Sequence, residues 1–126
     1  MPNSQAPTLE KTTYDLEERT ARFGEEVIRF CRKLTQDAVT DRIVRQLIGC
    51  ATSIGANYAE ADDAESGQDF RHKIGICKKE SRETKHFLRM VAVAAPEHAD
   101  EARRLCQEAK ELNLIFNAIY KKIPKR

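Results

Sequence analysis

Residues 69–95 read DFRHKIGICKKESRETKHFLRMVAVAA. Within them Phe70, Ile74, Cys77, Ser81, Thr84, Leu88, Val91 and Ala95 recur at alternating steps of four and three. Such spacing places every one of these side chains on a single face of a helix, where a strand would need a period of two. Ser66-Gly67 precedes the run and Pro96 follows it, supplying a cap before it and a stop after it. The spacing predicts a helix over about 67–95, longer than a small domain needs unless other helices pack along its length. Ser81 and Thr84 sit in the apolar seam, and their hydroxyls are expected to bond back to carbonyls in the preceding turn.

Three further stripes surround this one. Leu16, Phe23 and Phe30 repeat every seven residues with Val27 and Leu34 between them, predicting a helix over about 15–35 capped by Asp15. Val44, Leu47, Ala51, Ile54 and Tyr58 predict a second over about 40–62. Gly49 and Gly55 lie inside it, each costing about 1 kcal/mol against Ala, and such glycines commonly admit a neighbouring backbone. Leu105, Ala109, Leu112, Phe116, Ile119 and Ile123 predict the last over about 97–123, with Pro96 in the turn before it. Four amphipathic helices joined by short loops imply an all-α fold, an antiparallel up-down-up-down four-helix bundle over residues 14–124. Residues 1–13, with Pro2 and Pro7, read as a disordered or extended segment, and Lys125–Arg126 as a basic tail.

Composition agrees with one helical domain. The 126 residues are 33% charged, 40% hydrophobic and 6% aromatic, with five Gly and four Pro. Eight apolar residues fall off the main stripes: Ile28, Ile43, Ile48, Phe87, Met90, Leu114, Ile115 and Tyr120. They leave room for a second buried face and point to self-association. No leader-like segment or membrane-length apolar run is present in the sequence, which implies a cytoplasmic protein with no membrane partner. In that reducing setting Cys31, Cys50, Cys77 and Cys106 are expected to be thiols.

Catalytic chemistry finds little support. The four cysteines would spread over roughly 20 Å of bundle axis, too far for one tetrahedral metal. A di-iron bundle needs two inward Glu-x-x-His motifs, and Glu83-Thr84-Lys85-His86 is the only one in the sequence. His72 and His86 would stand roughly 21 Å apart on one helix. No Gly-rich phosphate loop or dinucleotide fingerprint occurs. The reading is a non-enzyme with no catalytic residue, no metal and no cofactor.

Charge gives the one functional lead. The net formal charge is only +2, yet the third helix concentrates basic residues. Arg71, Lys78, Lys79, Arg82, Lys85 and Arg89 form a candidate stripe for RNA or DNA phosphates. The alternative is a solvated face on a protein–protein adaptor that binds no nucleic acid. No aromatic platform is evident beside the stripe, which argues against base stacking.

Two stretches carry a family resemblance. Ser53-Ile54-Gly55-Ala56-Asn57-Tyr58-Ala59-Glu60 resembles the S-I-x-A-N-I-A-E signature of the 23S ribosomal RNA intervening-sequence proteins. Asp69 through Ile74, Lys79 through Thr84 and then Phe87-Leu88 are similar to that family's third helix. The likeness extends over roughly residues 14–123 and departs at Ala61-Asp62-Asp63, where an acidic turn replaces the usual Gly and basic residue. It implies a four-helix bundle assembling into a ring, typically a homopentamer, with relatives among accessory proteins of diversity-generating retroelements, which partner a reverse transcriptase and nucleic acid. It supplies no catalytic residues. Ser53, Gly55, Ala56 and Ala59 would let the second helix pack closely. Asn57 and Glu60 would hydrogen-bond toward a loop or the third helix, with Lys79, Glu80 and Glu83 as their partners.

Overall fold

The computed structural model describes residues 9–124, with side chains from Asp15 onward. Four helices follow in order: α1 (Leu9–Cys31), α2 (Ala38–Asp62), α3 (Gly67–Ala94) and α4 (Ala99–Lys122), with a single 3-10 turn at Pro96–His98 before α4. No strand occurs among the described residues.

Antiparallel packing follows from which residues meet. Gly24 lies against Thr52 while Gly55 lies against Thr20, so α1 and α2 run in opposite senses. The Cys77 thiol reaches the Ile54 carbonyl and Lys73 pairs with Glu60, which does the same for α2 and α3. Cys106 approaches the Lys85 carbonyl and Asn113 the Lys78 carbonyl, reversing α4 on α3. Arg19 pairs with Glu108 and Lys33 with Glu101, closing the ring between α4 and α1.

One core runs through the bundle. Phe23, Phe30, Leu47, Ile54, Ile74, Leu88, Leu105, Leu112 and Phe116 are fully buried, each contributing about 1.5–3 kcal/mol by leaving water. The α3 stripe read from the sequence is this core's spine: Ile74, Cys77, Ser81, Thr84, Leu88 and Val91 are all buried. Ser81 Oγ donates to the Cys77 carbonyl at 2.8 Å and Thr84 Oγ1 to the Glu80 carbonyl at 2.7 Å, so their hydroxyls enter the core satisfied.

Helix ends differ from expectation mainly in α1. It begins at Leu9, so Asp15 lies inside the helix and does not cap it, and residues 9–13 are helical where an extended segment was expected. Pro7 is the last residue before it able to forbid an internal helical bond, and nothing from Leu9 to Tyr14 breaks a helix. Residues 1–8 and the basic pair 125–126 lie outside the described residues. At its other end α1 stops at Cys31, short of residue 35. Lys33 N–H bonds the Phe30 carbonyl and Leu34 N–H the Cys31 carbonyl, tightening the last turn while still burying Leu34.

The other caps follow the chemistry of their side chains. The Asp37 carboxylate accepts from Thr40 N–H at 2.8 Å and starts α2 at Ala38; that bond holds its carboxyl below the usual carboxylate range. Ser66 Oγ accepts from Asp69 N–H at 3.0 Å and starts α3.

Several apolar residues off the stripes are absorbed by this core. Ile43, Ile48, Phe87, Ile115 and Tyr120 pack against it half-buried, leaving Ile28 and Leu114 exposed, as are Val39 and Val93. The surplus available for a second apolar face is therefore smaller than the sequence implied.

Candidate functional site

The seams around the bundle differ in chemistry. Between α1 and α4 the joint is made by ion pairs: Arg19 forks onto both carboxylate oxygens of Glu108 at 2.7 and 2.9 Å and also reaches Glu111 at 2.9 Å. Lys33 binds Glu101 at 2.9 Å. These contacts commit three of the four acidic side chains of α4 to the α1 side.

The opposite side of α4 faces α3 and is basic. All six candidate residues line hollows along this seam: Arg71 and Lys79 at one end, Lys78, Arg82 and Lys85 in the middle, Arg89 at the other end. Arg103 and Lys110 join from α4 beside Arg89, and Lys121 and Lys122 beside Arg71. From Arg71 to Arg89 the stripe runs about 27 Å, the axial length of roughly eight base pairs. None of the six makes a salt bridge with a described residue, whereas Lys73, a helical neighbour off the stripe, is taken up by Glu60 at 2.5 Å. The middle of the groove encloses about 860 Å³.

Two features of this groove were not legible in the sequence. Asn113, buried on α4, donates its amide to the Lys78 carbonyl at 2.9 Å and to Ser81 Oγ at 3.1 Å, and accepts from Asn117 at 3.2 Å. Asn113 and Asn117 thus give the groove a polar floor anchored to α3. Their spacing of four on α4 beside an apolar stripe was the signal, but it gains meaning only once Lys78 is known to lie opposite. The second feature is Tyr120, whose ring lies under the Arg71 guanidinium at 4.0 Å and the Lys78 ammonium at 4.4 Å. The stripe therefore does carry an aromatic neighbour, supplied by another helix.

The signature residues fall elsewhere, mostly on α2. Gly55 meets α1, where a Cβ would lie 3.3 Å from Thr20 Oγ1 and 3.4 Å from the Thr20 carbonyl carbon, so this glycine admits a helix. Gly49 has open space around it and does not. Ala56 and Ala59 are exposed, so close packing of α2 does not rest on them. Asn57 bonds the Ser53 carbonyl and hydroxyl within its own helix, at 2.9 and 2.8 Å. Glu60 does reach α3, but its partner is Lys73. Because Ile54 stands level with Cys77, residues 79–83 lie beside the middle of α2, more than a helical turn from Asn57 and Glu60. Glu80 instead bears on Cys50; burial, and then the Glu83 charge, push its carboxyl up, with Lys79 opposing.

Burial holds three of the four thiols in their protonated form. Burial pushes Cys31 up to about 11 and Cys77 up to about 12, and raises Cys50 as well. None of the four is in a disulfide, and the described residues contain no cluster of three potential His, Cys, Asp or Glu metal ligands. His72 and His86 are exposed, while His98 packs edge-on to Phe30 at 6.2 Å. No helix among the described residues is long and apolar enough to cross a membrane.

Fold and site together define a four-helix bundle with a heavily ion-paired α1–α4 seam and a cationic α3–α4 groove. The chain belongs to the 23S rRNA-intervening sequence protein family, whose profile matches residues 13–118. Its fold is similar to the crystal structure of a protein of unknown function from the S23 ribosomal protein family of Bacteroides thetaiotaomicron. The two share 24% identity and a TM-score of 0.75 over 87% of this chain and 98% of the other. No curated protein matches the sequence.

Proposed function

We propose that this protein is a non-enzymatic, cytoplasmic nucleic-acid-binding scaffold that contacts phosphates through the α3–α4 groove. The observation that carries the reading is charge segregation. Three of the four acids of α4 are drawn to the α1 side, and six cations of α3 line the groove with no salt bridge to a described residue, Glu83 being the acid among them. Unpaired cations in a row gain most from a polyanion, because each phosphate contact releases a condensed counterion. Asn113 and Asn117 keep the floor polar, and Tyr120 adds a ring at one end.

Assembly into a ring, with five subunits as the family resemblance implies, would repeat the groove around the oligomer. Exposed Val39, Val93 and Leu114 and the small exposed residues Ala56 and Ala59 of α2 support such a contact. Light scattering coupled to size exclusion tests the assembly, and a monomer at all concentrations removes it.

Fluorescence anisotropy with duplex DNA and RNA across a salt series tests binding. Six phosphate contacts predict a log–log salt slope near −5 for B-form DNA, and replacing Arg82, Lys85 and Arg89 with Ala should flatten it by about 3. Absence of binding at low salt refutes the nucleic-acid reading.

A further inference from the structure

At the end of the groove formed by the first turns of α3 and the last turns of α4, the cations converge in a manner the stripe alone does not explain. Arg71 and Lys78 stand seven residues apart on α3, about 10 Å along its axis. Even so, both charged heads come to the ring of Tyr120, at 4.0 and 4.4 Å from its centre. Lys121 and Lys122, which follow Tyr120 on α4, line the same hollow of about 700 Å³. None of these four cations makes a salt bridge with a described residue, and a second hollow of about 430 Å³ opens on Arg71 and Tyr120 from the side of Lys79. Arg71 Nε is buried with no hydrogen-bond acceptor.

Each head gains a cation–π contact with the electron-rich ring, which is what draws both to Tyr120. The ring does not neutralise them. Four cations around one hollow exceed the single charge of a backbone phosphodiester, whereas a phosphate monoester carries close to two charges near neutral pH. Extended Lys and Arg heads also match its three terminal oxygens.

We infer that Arg71, Lys78, Lys121 and Lys122, gathered by Tyr120, form a binding site for a phosphate monoester. The inference rests on the groove reading where the monoester is the terminal phosphate of a strand lying along α3–α4; a free nucleotide offers the same group.

The test compares one short duplex bearing either a terminal phosphate or a terminal hydroxyl, measured by anisotropy against the full chain. The phosphorylated duplex should bind about tenfold more tightly. An Arg71→Gln/Lys78→Gln variant, with its fold checked by circular dichroism, should lose that preference, while Arg82→Ala should weaken both duplexes equally. A second arm titrates adenosine monophosphate calorimetrically into wild type and the double variant. Binding of the monophosphate to wild type alone, with neither duplex bound, supports the site with a free nucleotide as ligand and overturns the groove reading only. Duplex binding with no terminal-phosphate preference and no monophosphate binding overturns the site and leaves the groove reading standing. No binding in either arm overturns both.

Discussion

Replacing Asn113 separates what this buried amide contributes by bonding from what it contributes by filling space. Its two donated bonds, to the Lys78 carbonyl and Ser81 Oγ, join α4 to α3 across the core's edge. Neutral bonds of this kind contribute about 1 kcal/mol each, and truncation to Ala leaves a void costing up to about 1 more. Asn113→Ala should therefore lose about 2–3 kcal/mol. Asn113→Leu should lose less than about 1, because neither partner is orphaned: the Ser81 hydroxyl still bonds the Cys77 carbonyl at 2.8 Å and the Lys78 carbonyl at 3.0 Å. Asn117, half-buried at the groove, can turn its amide to water. Urea unfolding followed by circular dichroism, with an unchanged m-value, measures the difference. Equal losses for Ala and Leu would show that the cost lies in the lost bonds and that filling the space recovers nothing, and a larger loss for Leu would place Asn113 in a pocket that rejects its volume; either result refutes the reasoning.

Glycine substitutions should split by what surrounds them. Gly49→Ala should stabilise the protein by about 0.5–1 kcal/mol through helix propensity alone, while Gly55→Ala should gain less or destabilise, since the Thr20 backbone must move; equal effects in thermal melts contradict the close approach. Arg19→Ala should cost about 1 kcal/mol through its partly exposed fork onto Glu108, more than an ordinary surface pair, and the coupling in a double-mutant cycle with Glu108→Ala should shrink in high salt. Stability should be full below about pH 9 and fall as pH rises toward 11–12, because the folded state holds the Cys31 and Cys77 protons above the ordinary thiol value of 9.0. A Cys31→Ala/Cys77→Ala variant with an unchanged alkaline slope would show that other groups cause it.

The sequence by itself determined the four helices and their inward faces. Leaving Phe23, Ile54, Leu88 or Phe116 in water costs free energy in proportion to their apolar area, and helical spacing puts them on faces that can be buried together. It also located the basic stripe, since charge is counted along the chain. Local hydrogen bonds were legible for the same reason: Ser81, Thr84 and the Ser66 cap need only residues within four positions. Helix ends were less so, because Leu34 stays in the core from a tight turn after α1 and so mimics another helical turn.

What only the tertiary structure decided is everything that depends on register between helices. Glu60 pairs with Lys73 rather than Lys79 because α2 and α3 align Ile54 with Cys77. Of the two glycines in α2, only Gly55 stands where α1 passes. Three of the four acids of α4 pair toward α1, so the α3 cations are left without them, and Tyr120 reaches Arg71 and Lys78 from a helix more than forty residues away in sequence. Electrostatic and hydrogen-bonding interactions fall off over a few ångströms in space, whatever the separation along the chain, and that is why the groove took shape only when the bundle closed.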